Sequence, residues 1–320
     1  MKYCFIINPA SGKQGTKEGL DARIKEICRA RNADVSIFFT EKRLDAREYI
    51  ASYPHEDTSE EIRVYACGGD GTLGECVNGL MSRESRENMS LGVIPVGTGN
   101  DFVRNFGGSE HFMDIEAQLD AEPVDIDLMC CNGFYSVNMI NVGFDCQVVV
   151  KTAQTKKYFP SKLAYIAGLV ITLIKKPGTR ARIEADGETL EIDGKLLLMT
   201  FANGSFCGGG FQSNPNARLE DGKINALIVR DISRTKFVSI VGSYKSGTHL
   251  TEKNAAIIYE RNASAIDVTF DEVTDISVDG EIVRADALRL ECVPSAISLL
   301  VPKGAEYVHK NICEGETVTI

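Results

Sequence analysis

The sequence predicts an α/β first domain, a three-layer arrangement on a mostly parallel sheet, followed by an antiparallel β-sandwich. Three observations predict it. Apolar strand patterns alternate with amphipathic helix patterns through the first third of the chain. Three glycine-bearing segments each follow a predicted strand, where ligands bind in parallel sheets. Beyond residue 124 short strands take over, with Asn-Gly and Asp-Gly pairs that signal hairpins.

The elements follow in order. KYCFIIN (2–8) reads as an apolar strand that ends in PASGKQG. A helix is expected over roughly 17–31, with Leu20, Ile24 and Ile27 on one face. DVSIFFT is a second strand, ending at Thr40, and AREYIAS is helical. EIRVYAC is a third strand and runs into GGDGT; TLGECVNGLMS is the helix behind it. LGVIPVG is a fourth strand, and TGNDFVRNF turns into another helix. In the second part KINALIV, AIDVTF, DISVDGEIV and LRLECV read as strands. One helical insert is expected near 160–175.

Composition narrows the function. A hydrophobic content of 43% supports a real core, and a net charge of −10 argues against nucleic acid held on a basic surface. The ten cysteines form no CxxC, and MKYCFIINPA shows no apolar leader, so free thiols in a reducing cytosol are expected. Four histidines without an HExxH arrangement make a zinc site a poor fit. The longest apolar run, LAYIAGLVITLI, is shorter than the ~20 residues that span a bilayer.

GGDGT lies between a strand and a helix. Glycine lets backbone N–H groups approach a ligand, and the helix N-terminus favours anions. Phosphate is the natural guest. Asp70 would repel it unless a cation stands between them, so the acid implies Mg²⁺, or else a sugar or hydroxyl partner. Thr72 and Glu75 also fit a capping box, and a tight turn with a capping aspartate is the plain alternative. NPASGKQG lacks the Ser or Thr that a Walker loop needs after Lys13, yet it can still cradle phosphate. PVGTGNDF puts Phe102 where a dinucleotide fingerprint needs glycine; it offers Thr98, Asn100 and Asp101 at a helix start. Two carboxylates and three glycine turns at a sheet edge suggest Mg²⁺-dependent phosphoryl transfer, with the acceptor unnamed.

NPASGK, FFTEKRLDA, GGDGTLGECVNG, PVGTGNDFVRNF, NVGFD, NGSFCGGGF, LEDGKI and VDGE, in that order and over most of the chain, resemble the diacylglycerol kinase catalytic family. That family includes bacterial diacylglycerol kinases, sphingosine kinases and ceramide kinases. The resemblance implies an ATP site lined by Asn8, Pro9, Ala10, Ser11, Gly12, Lys13, Thr40, Gly68, Gly69, Asp70, Gly71, Thr72, Leu73, Gly74, Thr98 and Asn100. Asp70 and Asp101 would organise the catalytic Mg²⁺, and Glu281 would take the proton from the lipid hydroxyl. Asp127 matches an acidic position near the cleft. The carbonyls of Arg218 and Lys223 and the carboxylate of Asp221 would form a structural Mg²⁺ site. Two positions depart from the pattern: Gly74 stands where the family often has asparagine, and Glu220 where it has aspartate. The implied domains are 1–124 with 298–320 for nucleotide, and 125–297 for the lipid site and catalytic base.

The implied activity is ATP- and Mg²⁺-dependent phosphorylation of a lipid hydroxyl, first of all diacylglycerol to phosphatidic acid. The alternatives are a kinase for another lipid or for NAD, which shares GGDGT, and a non-catalytic nucleotide or lipid sensor. The implied location is cytoplasmic, with peripheral membrane association during activity; a homodimer is left open. Lys151, Lys156, Lys157, Lys162, Lys175, Lys176, Arg180 and Arg182 flank the apolar run, as a membrane-facing helix would require. A core helix with solvated lysines at its ends is the competing reading.

Overall fold

The computed structural model describes residues 1–12, 19–54, 60–155, 161–175 and 178–309. Lys13, Lys156, Lys157 and Lys176 lie outside the described residues. The chain forms two compact units, Met1–Ile126 with Ser295–Ile320, and Asp127–Pro294.

The first unit alternates strand and helix: β1 (Lys2–Ile7), α1 (Leu20–Ala30), β2 (Asp34–Phe39), α2 (Asp45–Ala51), β3 (Ile62–Gly68), α3 (Asp70–Met81), β4 (Met89–Pro95) and α4 (Ile115–Leu119). β1 pairs in parallel with β2 and β3, and β3 with β4. Central β3 and β4 are buried at every position, which explains their unbroken apolar texture; edge strand β2 is only partly covered. Phe5 stacks on Tyr65 at 4.5 Å in a core that also takes Ile24, Ile94, Ile115 and Leu300. α1 buries Leu20, Ile24 and Cys28 at helical spacing, with Ile27 at the edge. The helix expected after TGND is a short 3₁₀ turn, Phe102–Phe106, stopped by Gly107 at φ 83°.

The second unit begins inside β5 (Glu122–Cys131) and contains β6 (Phe134–Ser136), β7 (Met139–Gly143), α5 (Phe144–Thr155), α6 (Ser161–Lys175), β8 (Ala181–Ala185), β9 (Glu188–Thr189), β10 (Leu196–Ala202), β11 (Ile224–Arg230), α7 (Arg234–Lys245), β12 (Ile258–Ala263), β13 (Ala265–Val278) and the first part of β14 (Glu281–Val301). Its pairings are antiparallel, in the order β12, β11, β10, β7, β13, β14. One core cluster holds Met199, Phe201, Ile266 and Leu288; a second holds Phe144, Leu227, Ile240 and Tyr244, from strands and helices together. β14 leaves the second unit and ends beside β4 in parallel, Ser298 opposite Ser90.

The helical insert expected near 160–175 is α6; it does not stand alone, since α5 and α7 make three α-helices among the described residues of this unit. α5 follows β7 without a loop. Gly143 at φ 83° makes the corner, and a Cβ there would stand 2.6 Å from Leu197 O. The three consecutive valines behind it read as strand, but packing against α6 overrides that preference. α7 is capped by Ser233, whose Oγ accepts the Lys236 N–H, and Phe237, Ile240 and Tyr244 share its inner face.

Candidate functional site

In the first unit the three glycine segments meet at the carboxyl ends of β1, β3 and β4. Gly12 has φ 77°, and a Cβ on it would collide with Val96 O. A Cβ on Gly97 would collide with Gly69 Cα, and the Gly97 N–H donates to Gly68 O at 3.0 Å. Only glycine permits backbone to lie on backbone in this way. Asn8 ties the first loop to the second. Its N–H donates to Cys67 O at 3.0 Å and its Nδ2 to Thr72 Oγ1 at 3.1 Å, while its Oδ1 accepts from Ala10 N. Ser11 N closes the turn on to Asn8 O, and Thr40 N extends the edge by bonding Ile7 O. Asn100, at φ 50°, donates to Pro95 O and Gly97 O, which fixes the third loop.

Asp70 occupies the first turn of α3. The first intrahelical bond is Leu73 N to Gly69 O, so the N–H groups of Asp70, Gly71 and Thr72 point out of the helix end. Leu73 itself turns its side chain into the core. Gly71, Pro9, Ala10 and Thr98 are exposed. Asp70 Oδ1 accepts from Phe102 N at 3.3 Å, and Arg104 Nε reaches Asp101 Oδ1 at 3.2 Å. The two carboxylates converge over Gly99: a Cβ there would lie 2.9 Å from Asp70 Oδ2 and 3.7 Å from Asp101 Oδ2. No group of three or more His, Cys, Asp and Glu that could hold a metal occurs among the described residues. Two carboxylates that converge on one point suit Mg²⁺, which takes one or two carboxylates and completes its shell with phosphate oxygens and water.

The capping box expected of Thr72 and Glu75 is absent. Gly69 is the N-cap of α3. Glu75 instead accepts from Leu44 N at 2.9 Å and Ala46 N at 3.2 Å, so it caps α2. Gly74 has open space around the missing side chain, and its carbonyl accepts from Asn78 Nδ2. A polar cleft of about 410 Å³ lies between Glu84–Met89 and Ser295–Ser298, at the opposite, amino end of β4.

The second unit holds the other acidic positions. Asp127 is 2% exposed and pins the LEDGK turn: its N–H donates to Leu219 O at 2.7 Å and its Oδ2 accepts from Gly222 N at 2.7 Å. Asp221 Oδ1 accepts from Lys223 N at 3.0 Å. Burial pushes the Asp221 carboxyl up, and the nearby Asp127 charge adds to the rise. A cation at this turn would relieve both effects. Glu220 is exposed, so its exchange for aspartate leaves the turn's buried bonds alone.

Glu281 opens β14, exposed, directly after the Asp279–Gly280 turn. Both turn residues have positive φ, 46° and 90°, as a two-residue hairpin requires. The sequence reading missed Asp279. Its carboxylate accepts from Ser136 Oγ and from Val137, Asn138 and Met139 N–H, all at 2.8–3.1 Å. Burial pushes this carboxyl up while the four donors pull it back. Asp279 thereby fixes the hairpin that presents Glu281. In the sequence an Asp before Gly reads only as a turn former, and that spacing gave no signal of the anchor.

The second unit also has a partly open pocket of about 60 Å³ between α5, α6, α7 and the sheet, walled by Phe144, Val148, Leu169, Phe211 and Phe237. α6 packs tightly on α5 at Gly168, where a Cβ would stand 2.5 Å from Thr152 Oγ1. Its outer face leaves Leu163, Val170 and Ile174 exposed, at 54%, 47% and 65%. No described helix is long and apolar enough to cross a membrane.

Comparison with known proteins agrees with this layout. Residues 2–131 match the diacylglycerol kinase catalytic domain, and residues 138–301 match the YegS C-terminal NAD kinase beta sandwich-like domain. A diacylglycerol kinase of Staphylococcus carnosus is 30% identical over 278 residues, 87% of each chain. One of Staphylococcus aureus is 31% identical over 87% of this chain and 85% of its own. Other relatives carry the broader name of lipid kinase. A diacylglycerol kinase structure from Bacillus anthracis superposes with a TM-score of 0.70 over 95% of this chain and 98% of that one; at 21% identity it speaks to the fold.

Proposed function

Since the chain belongs to the diacylglycerol kinase catalytic-domain family of lipid kinases, we propose that it transfers the γ-phosphoryl group of ATP to a lipid hydroxyl, with diacylglycerol to phosphatidic acid as the reference reaction. The observation that carries this reading is the convergence of Asp70 and Asp101 over Gly99, beside three glycine turns at the strand ends. Backbone N–H groups at the start of α3 bind phosphate oxygens, helped by the helix dipole. Asp70 and Asp101 would hold Mg²⁺, which when bound would offset the charge that develops on the transferring group. Glu281 accepts the hydroxyl proton as the lipid oxygen bonds to the γ-phosphorus and the bond to ADP breaks. The Asp221 carboxylate and the carbonyls of Arg218 and Lys223 would form a second, structural cation site on the turn that Asp127 pins. The exposed stripe of α6, with Lys151 and Lys175 at the ends of the helix pair, rests on an anionic membrane surface.

The test is labelled ATP with Mg²⁺ and a lipid panel in mixed micelles, products separated by polarity. Transfer to lipid is expected, and Asp70→Ala should remove it by at least about 100-fold with the melting temperature held. Turnover at the wild-type rate in Asp70→Ala, or transfer only to soluble acceptors, would overturn the reading. For the membrane face, Ile174→Glu with Lys175→Glu should abolish flotation with anionic liposomes; unchanged flotation would remove that part alone.

A further inference from the structure

Asp101 stands at the head of a very short element. The 3₁₀ turn Phe102–Phe106 has five residues, and its first N–H, that of Phe102, donates to Asp70 Oδ1 at 3.3 Å. The turn therefore sets where both carboxylates lie. A 3₁₀ turn has poor hydrogen-bond geometry and rarely runs beyond about four residues, so other contacts must fix its place. Packing supplies part of this. Phe102, Val103 and Phe106 are buried, and Phe106 meets Phe102 at 5.9 Å and Phe112 at 5.7 Å.

The rest comes from the chain beyond β14. Pro302 is buried, and a turn follows it, closed by Ala305 N on Pro302 O. Gly304, at φ 94°, passes against the His111 ring, where a Cβ would stand 2.8 Å from Nδ1. The Tyr307 ring then lies on Phe106 at 5.6 Å, and buried His309 meets Tyr307 edge-on at 5.5 Å. Between these two rings Val308 N donates to Asn105 O at 2.9 Å. Asn105 is fully buried, and its Nδ2 donates to Phe102 O at 2.8 Å. Hydrogen bonds thus run from Val308 through Asn105 and Phe102 to Asp70. The Val308 side chain is itself exposed, so its N–H is the larger part of what it contributes.

We propose that Tyr307 and Val308 are positioning residues for the nucleotide–Mg²⁺ site: they strap down the Phe102–Phe106 turn and so keep Asp101 and Asp70 converged on one ion. This rests on the kinase reading and deepens it. Mg²⁺ demands near-ideal octahedral geometry, so a small shift of the turn is felt in metal affinity before the fold suffers. A segment that served only to cover Phe106 would change the melting temperature and leave the metal dependence alone.

Mn²⁺, which takes the same kind of oxygen ligands and is visible to electron paramagnetic resonance, is titrated into each protein with ADP and without lipid. Tyr307→Ala removes the ring, and Val308→Pro removes the N–H while keeping an apolar side chain. Each should weaken Mn²⁺ binding about 10-fold, as loss of a group that orients a metal ligand does. Tyr307→Phe keeps the ring and should bind as wild type does. In turnover, the first two variants should raise the Mg²⁺ concentration at half-maximal rate by a like factor and leave the KM for lipid unchanged. Unchanged Mn²⁺ affinity in both, whatever their melting temperatures, would overturn the proposal, as would a Tyr307→Phe protein as weak as Tyr307→Ala. Where Tyr307→Ala does not fold, Tyr307→Leu takes its place with the same expected direction. Weaker Mn²⁺ binding in the variants supports the proposal even where no lipid is phosphorylated, and in that case the lipid acceptor alone falls. A wild-type protein that binds no Mn²⁺ with ADP overturns both.

Discussion

Replacing Asp145 by Asn changes one oxygen for an amide and keeps an acceptor for Tyr244. In the folded chain burial pushes this carboxyl up from 3.8 to about 6 against the pull of the Tyr244 hydroxyl. The folded protein therefore holds this proton at pH values where the unfolded chain has released it. Stability from this group is fully present below the unfolded value and is lost as pH rises through about 6. The shift corresponds to at most about 3 kcal/mol at pH 7.5, of which about half is already lost at pH 5. Asn titrates nowhere in this range. The advantage of Asp145→Asn over wild type should thus grow by about 1–2 kcal/mol between pH 5 and pH 7.5. Urea unfolding of both proteins at several pH values, followed by circular dichroism, reads the gap directly. A gap that stays constant or narrows with pH would refute the burial of this charge.

Other substitutions test single contacts. Gly12→Ala forces a Cβ on to Val96 O at φ 77° and should cost about 1–3 kcal/mol, read as a lower melting temperature and weaker ATP binding. Gly74→Ala meets nothing in a helix interior and should stabilise the protein to urea by about 0.8–1 kcal/mol. Glu75→Ala removes the acceptor from the first N–H groups of α2 and should cost about 1 kcal/mol, with Glu75→Gln recovering part of it. Asp279→Ala strands three N–H groups and a hydroxyl and should cost at least about 3 kcal/mol in urea unfolding, with a fall in kcat, because the hairpin bearing Glu281 loosens.

The α/β unit was legible because buried parallel strands need unbroken apolar runs, as in IRVYACG and MSLGVIP. The glycine turns were legible for a related reason, since Gly12 and Gly97 lie where any side chain would collide. Other features escaped because their partners are remote in sequence. Glu75 looks like the partner of Thr72 three residues away, yet it serves Leu44 and Ala46 thirty residues earlier. Asp279 looks like a turn former, yet its donors lie in 136–139. α5 escaped because its VVV run favours strands locally, and only contact with α6 decides otherwise. α7 is the exception: Ser233, Phe237, Ile240 and Tyr244 already carried a legible helical period.

The return of β14 to the first unit has a consequence for how the molecule is made on the ribosome. Ser298 and Leu299 pair with Ser90 and Leu91, and Leu300 is fully buried in the first core. The amino-terminal unit therefore waits, with one sheet position and part of its core open, until about two hundred more residues have been synthesised. The second unit is one continuous stretch, Asp127–Pro294, and meets no such delay. A later-translated segment would complete the unit translated first, so a nascent chain that stalls before Leu300 exposes an unfilled parallel sheet edge to chaperones and proteases.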